Sequence, residues 1–115
     1  MTDSVEIDSC AIYSVLADDP DLREIVTMFV DEMPLRIEKL LDEYRSKKWG
    51  DLKQTAHQLK GTVGSYGFGG ISPLAGKLEA AIEEIPSEET IRQLLTELIG
   101  LCHRMSADPP GKAER

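Results

Sequence analysis

His57, Lys60, Gly61 and Gly64 are the residues of this chain whose types and spacing best suit chemistry. They lie in the run His57-Gln58-Leu59-Lys60-Gly61-Thr62-Val63-Gly64-Ser65-Tyr66-Gly67, which has helical periodicity. At roughly 100° per residue, Leu52, Ala56, Leu59 and Val63 share one stripe, the face such a helix buries. His57 lies roughly 130° from the centre of that stripe. Its neighbours one and two turns along are Lys53, Lys60, Gly61 and Gly64, with Phe68 beyond. An imidazole on the wet side, flanked by ammonium groups and by residues without side chains, is open to a large partner.

A free imidazole with a reference pKa of about 6.5 is a good nucleophile near neutral pH. Lys60 can offset charge on an incoming phosphoryl group through a charge-assisted hydrogen bond. Lys53 reads equally well as a solvated charge. Glycine costs roughly 1 kcal/mol relative to alanine inside a helix. Gly61 and Gly64 fall on the exposed side, where packing returns nothing, so they read as clearance for another protein's surface. The constellation suits a phosphoryl acceptor. No serine or cysteine stands in an evident partnership with a histidine and an acid, and no GxxxxGK[ST] loop is present.

Composition narrows the field further. A net charge of −8, from 21 acidic and 13 basic residues, opposes binding to nucleic acid or to an anionic membrane. Cys10 and Cys102 stand far apart, outside any CxxC or Cys/His cluster, and read as reduced thiols. His57 and His103 lack acidic neighbours at metal-ligand spacing, so no metal site is expected. His103 reads as a surface residue favoured by a helix C-terminus. The chain shows no signal-peptide pattern and no membrane-length apolar run, which predicts a cytoplasmic protein.

With 115 residues, 41% of them hydrophobic and only 5% aromatic, one domain with an aliphatic core is expected. Residues 1–8 read as a flexible N-terminus, 9–105 as the folded unit, and 106–115 as a flexible tail or linker. Ser9 to Leu16 holds enough apolar residues for a short helix. Asp18-Asp19-Pro20-Asp21 is a helix start, with acids placed to meet the positive end of the helix dipole. From Leu22 to about Lys48 the stripe Leu22, Ile25, Val26, Phe29, Met33, Ile37, Leu40, Leu41, Tyr44 keeps its phase across Pro34, favouring one kinked helix. Trp49-Gly50-Asp51 reads as a tight turn, with glycine stopping that helix and Asp51 capping the next.

The helix bearing His57 is predicted from Leu52 to Tyr66 and ends at Gly67-Phe68-Gly69-Gly70. Ser72-Pro73 opens the next, with Leu74, Leu78, Ala81, Ile82 and Ile85 as its stripe. Pro86-Ser87-Glu88-Glu89 caps a last helix carrying Ile91, Leu94, Leu95, Leu98, Ile99 and Cys102. Nothing alternates with period two long enough for a strand. The predicted fold is all-α: an antiparallel up-down-up-down four-helix bundle with a short N-terminal helix.

The pattern His57-x-Leu59-Lys60-Gly61-x-x-Gly64-x-x-Gly67, followed by Leu74, Leu78 and Glu79, resembles the histidine-containing phosphotransfer (HPt) domain of multistep His–Asp phosphorelays. The resemblance takes in Asp18-Asp19-Pro20, the Phe29 to Pro34 stretch and the Trp49-Gly50-Asp51 turn, and spans about Ile7 to Arg104. It implies that His57 takes a phosphoryl group from a receiver-domain aspartyl phosphate and relays it to another receiver. Lys60 would compensate charge, and Gly61 and Gly64 would give the receiver room. Glu79 aligns with a position where the family often has an amide or acid that holds the imidazole; on its helix it projects to the side of the buried stripe, and it reads equally well as a solvated surface acid. An acceptor on Nδ1–H would leave Nε2 free to react.

Lys53, Gly61, Gly64 and Phe68 are the candidate docking residues, although Phe68 could equally cap the core. The resemblance further implies a phosphoryl carrier with no ATP site, cofactor or metal of its own. Mg²⁺ and most catalytic groups would belong to the receiver. The expected partners of this monomer are receiver domains of response regulators or hybrid histidine kinases. Two other readings stay open: a histidine domain cut from a larger sensor or chemotaxis kinase, and a helical docking module that is never phosphorylated.

Overall fold

A computed structural model describes residues 11–84 and 87–107. Cys10, Ile85, Pro86, the loose segment expected at 1–8 and all but Ser106 and Ala107 of the tail expected at 106–115 lie outside the described residues; Ser106 falls in a strand rather than in a loose tail. Four helices carry the fold: α1 (Pro20–Arg45), α2 (Trp49–Ser65), α3 (Ser72–Glu84) and α4 (Glu88–His103). Two very short strands, β1 (Ile12–Tyr13) and β2 (Met105–Ser106), pair in parallel. The fold is an all-α helical bundle, as the periodicity predicts. No helix among the described residues is long and apolar enough to cross a membrane.

The helix starts follow local chemistry. The Asp19 carboxylate accepts the Asp21 N–H at 2.9 Å, Pro20 fills the first turn, and Asp21 meets the helix dipole. Ser87 likewise accepts the Thr90 N–H at the start of α4. α1 runs unbroken through Pro34, which lies on the exposed side where water can replace the lost backbone bond. Its Val26, Phe29, Met33, Ile37 and Leu40 are buried, whereas Ile25, at the edge of the predicted stripe, is 46% exposed.

Two helices end in the same way. After α1, Lys47 adopts a left-handed φ of 56°, its N–H bonds the Tyr44 carbonyl, and Lys48 N–H bonds Glu43. After α2, Gly67 has φ 90°, its N–H bonds Gly64, and Phe68 N–H bonds Val63. Both are Schellman motifs, which satisfy terminal carbonyls and turn the chain back on itself. The first displaces the expected turn. The stop falls at Lys47, and Trp49, Gly50 and Asp51 form the first turn of α2, whose start has no side-chain cap. An edge-on contact between Tyr44 and Trp49 (5.9 Å between centroids) holds this tighter hairpin.

The expected N-terminal helix is absent from residues 11–16. Ile12 N–H bonds the Arg104 carbonyl and Val15 N–H bonds Gly67, so these two donors go to other elements, and only a local turn at Ser14 (Leu16 N–H to its hydroxyl, Ala17 N–H to its carbonyl) stays within the segment. The buried Ser14 hydroxyl donates to the Tyr66 carbonyl at 2.7 Å. The segment is a strap across the ends of α2 and α4, and its partner β2 extends ordered backbone pairing to Ser106.

The core is aliphatic, with Leu40, Leu52, Leu59, Val63, Ile71, Leu78, Ile91 and Leu98 among its buried members. One acid enters it. Glu43 is buried, and its carboxylate accepts from Lys39 Nζ (2.9 Å) and from the Thr55 hydroxyl (3.0 Å), tying α1 to α2. That hydrogen bond raises the Lys39 ammonium above its ordinary pKa of 10.5.

The two helix ends make opposite predictions. A Cβ on Gly67 would overlap the Ser14 hydroxyl in a backbone conformation that resists side chains. Gly67→Ala should therefore lose about 2 kcal/mol. Lys47→Gly should gain about 1 kcal/mol by relieving the left-handed lysine. Urea midpoints at constant slope measure both.

Candidate functional site

α2 places Leu52, Ala56, Leu59 and Val63 in the core and turns His57 outward, leaving its side chain 61% exposed. α3 packs beside α2 through Ala75, Leu78 and Ile82, a stripe shifted from the predicted one, with Leu74 and Ala81 half-buried. This packing aims Glu79 back at the His57 face. The Glu79 carboxylate bridges two cationic or polar groups that lie three residues apart on the neighbouring helix. Its Oε2 is 2.9 Å from His57 Nδ1, and its Oε1 is 3.3 Å from Lys60 Nζ. Among the described residues, His57 Nε2 has no hydrogen-bond partner.

Several smaller contacts fix this geometry. The Ser72 hydroxyl crosses to the Lys60 carbonyl at 3.0 Å, pinning the start of α3 to the middle of α2. Ser72, which with Pro73 opens α3, thus spends its hydroxyl across the helix pair. One turn before His57, Lys53 Nζ lies 3.6 Å from Glu83, a largely exposed pair of small energetic weight. Lys53 is thus tied to α3 rather than standing against the ring.

An open depression runs from His57 along α2, lined by Gln58, Gly61, Thr62, Ser65 and Tyr66. Its far end is rigid, because Tyr66 stacks on Phe29 with ring centroids 4.5 Å apart. A Cβ at Gly61 or Gly64 would meet nothing within 4 Å. Neither glycine is needed for packing inside this chain.

Phe68 requires a correction. It was expected on the docking surface, yet only 1% of it is exposed and it packs with the core 6.1 Å from Phe29. The Schellman motif explains this: the residue after Gly67 folds back over the helix end, where an apolar side chain packs inward. The signal lay in Gly67-Phe68: the helix ends at Gly67 as the sequence predicts, and the wheel position beyond it that would have exposed the ring does not exist.

Nδ1 can donate to Glu79 only when it carries the proton, so this contact favours the tautomer with a lone pair on exposed Nε2. Such a nitrogen can act as a nucleophile toward an electrophile approaching along the depression. The carboxylate is itself tuned. Partial desolvation pushes the Glu79 carboxyl up, but the hydrogen bonds and charges of Lys60 and His57 outweigh it and hold the net pKa below 4.5. The folded state therefore binds this proton less tightly than the unfolded chain. Ionised Glu79 contributes stability above the ordinary carboxyl range, and that contribution is lost as pH falls through the lower folded-state value. Glu79→Gln should unfold at lower urea than the parent at pH 7, with the gap closing toward about pH 3. Urea melts across that range measure it.

The family model described as Hpt domain matches residues 24–108, which include His57, Lys60 and Glu79. Neither curated proteins nor solved structures gave a match. The matched span covers all of α2, α3 and α4 and most of α1. The chain belongs to the Hpt domain family, the histidine phosphotransfer modules of phosphorelay signalling.

Proposed function

We infer that His57 accepts a phosphoryl group from the aspartyl phosphate of a receiver domain and relays it to another receiver. The observation that carries this reading is the 2.9 Å contact between Nδ1 of an exposed histidine and Glu79, with Nε2 open. The Nε2 lone pair attacks phosphorus, the bond from phosphorus to the acyl oxygen breaks, and the receiver aspartate leaves as a carboxylate. No proton needs to move. Nδ1 keeps its hydrogen, and the positive charge that develops on the ring faces the Glu79 carboxylate.

Lys60 lies one turn from His57 with its ammonium beside Glu79, and in this reading it meets the phosphoryl oxygens. Gly61 and Gly64 leave the approach clear, and Lys53, paired with Glu83, lies on the docking face one turn before His57. The chain acts as a carrier rather than an independent enzyme: the receiver brings its own Mg²⁺ and the groups that activate the acyl phosphate. Its partners are receiver domains of response regulators or hybrid histidine kinases, met by a monomer in the cytoplasm.

Incubation with a receiver phosphorylated on its aspartate, in Mg²⁺, should place acid-labile, base-stable phosphate on this chain. His57→Gln should abolish the label while leaving the helical circular dichroism intact. Label retained in that variant, or no label on the parent with a panel of receivers, would overturn the reading in favour of a docking module. Lys60→Ala should slow single-turnover transfer about tenfold, the loss expected for one charge-assisted hydrogen bond.

A further inference from the structure

Gly76 is unlike the other glycines of the described residues. Gly67 is required by its left-handed backbone, whereas Gly50, Gly61, Gly64, Gly69, Gly70 and Gly100 have open space where a Cβ would stand. Gly76 has an ordinary helical backbone inside α3 and is half-buried. A Cβ there would come 3.2 Å from Lys60 Cδ. The volume left by its missing side chain is occupied by the stem of one particular lysine.

That stem leads straight to the site. Gly76 lies one turn before Glu79 on the same face of α3, and Lys60 must cross this point to bring Nζ within 3.3 Å of Glu79 Oε1. The Lys60 backbone is already fixed, because its carbonyl accepts the Ser72 hydroxyl. With one end of the residue pinned, the course of four methylenes decides where the ammonium sits. Alanine would be the better helix former at this position. The glycine therefore lowers the intrinsic stability of α3 and in return leaves a slot that no other side chain fills.

We propose that Gly76 is a positioning residue: its bare backbone is the slot that lays the Lys60 stem across α3 and holds the ammonium beside Glu79 and His57. It acts through Lys60 and touches no reacting atom. A side chain at 76 lifts the stem, moves the ammonium outward, and frees one oxygen of Glu79. The consequence for transfer rests on the reading of Lys60 given above; the placement of the ammonium does not.

The test uses the full chain with Gly76→Ala and Gly76→Leu, and with Gly100→Ala as a control for glycine replacement on an exposed helix. The first readout is the Glu79 carboxyl, followed by ¹³C NMR through its titration. The charged groups around it are His57 and Lys60 from α2 and, one turn along α3, Glu83 paired with Lys53. Withdrawal of Lys60 should move the titration upward toward 4.5 in both Gly76 variants, further for leucine, and leave it unmoved in Gly100→Ala.

The second readout is single-turnover phosphoryl transfer from a phosphorylated receiver. Gly76→Ala should lower the limiting rate about fivefold with little change in receiver saturation, while thermal stability stays level or rises. In a Lys60→Ala background the same change should have no further effect. An unmoved Glu79 titration in both Gly76 variants would overturn the proposal, as would an equal slowing with and without Lys60. If Lys60→Ala itself leaves transfer unchanged, the role given to Lys60 fails, and the carboxyl titration alone decides whether Gly76 positions it.

Discussion

The Glu79 carboxylate divides its two oxygens between an imidazole and an ammonium that are three residues apart on another helix. A single contact of this kind could be made by many surface acids. A double one fixes both the rotation of α3 about its axis and its height along α2, because both partners project from consecutive turns. The core supplies that register. Leu59 and Val63 on α2, with Ala75, Leu78 and Ile82 on α3, bury the faces that leave Glu79 at the seam. The Ser72 hydroxyl on the Lys60 carbonyl locks the upstream end of the same seam. Apolar burial, of about 25 cal/mol per Å², brings the helices together, and the polar contacts at the seam then select one register.

The ends of the helices matter to the site as much as their faces. The Gly67 turn stops α2 at Ser65, level with the far end of the depression beside His57, and it drops Phe68 into the core. It also offers the Gly67 carbonyl to the strap that begins near β1, so the N-terminal segment closes over the end of the histidine helix. Phe29 and Tyr66 stack beneath that closure, with the Arg36 guanidinium 5.2 Å over the Phe29 ring. The far end of the depression is thus held by contacts from α1, α2 and the strap together. His57 itself sits mid-helix, where fraying does not reach.

Helical periodicity made α1, α2, α3 and α4 legible in the sequence, because a stripe of aliphatic residues at a 3.6-residue spacing has few other uses. The exposed side of His57 followed from the same wheel. Helix ends were less legible. Lys47 in a left-handed turn carries no sequence signature, since glycine is the residue that signals this position and Gly50 stood nearby as a decoy. The strap was misread as a helix because its hydrogen bonds run to residues more than 50 positions away, beyond any local pattern. Glu43 in the core was invisible for a related reason: its partners Lys39 and Thr55 become neighbours only when α1 and α2 pack. Glu79 could be placed beside its stripe, but whether it reached one group or two depended on the height of α3 against α2.

Glycine shows how far a sequence alone can go in locating function. Gly61, Gly64, Gly67 and Gly76 are the same residue in nearly adjacent turns, and each weakens its helix or turn relative to alanine where the backbone is ordinary. Only the surroundings separate them. Gly67 answers to its own backbone angle, and Gly76 to a lysine of the neighbouring helix. Gly61 and Gly64 answer to nothing within the chain, because a Cβ at either would meet only open space. Both sit inside α2 and cost about 1 kcal/mol each against alanine, as Gly100 does in α4 with the same open space around it; what sets the pair in α2 apart is the face they occupy. Both lie on the side of α2 where His57 is bare. From His57 to Gly64 that side of α2 runs about two helical turns, and on the reading that His57 meets a receiver domain it is the stretch the receiver's surface would cross.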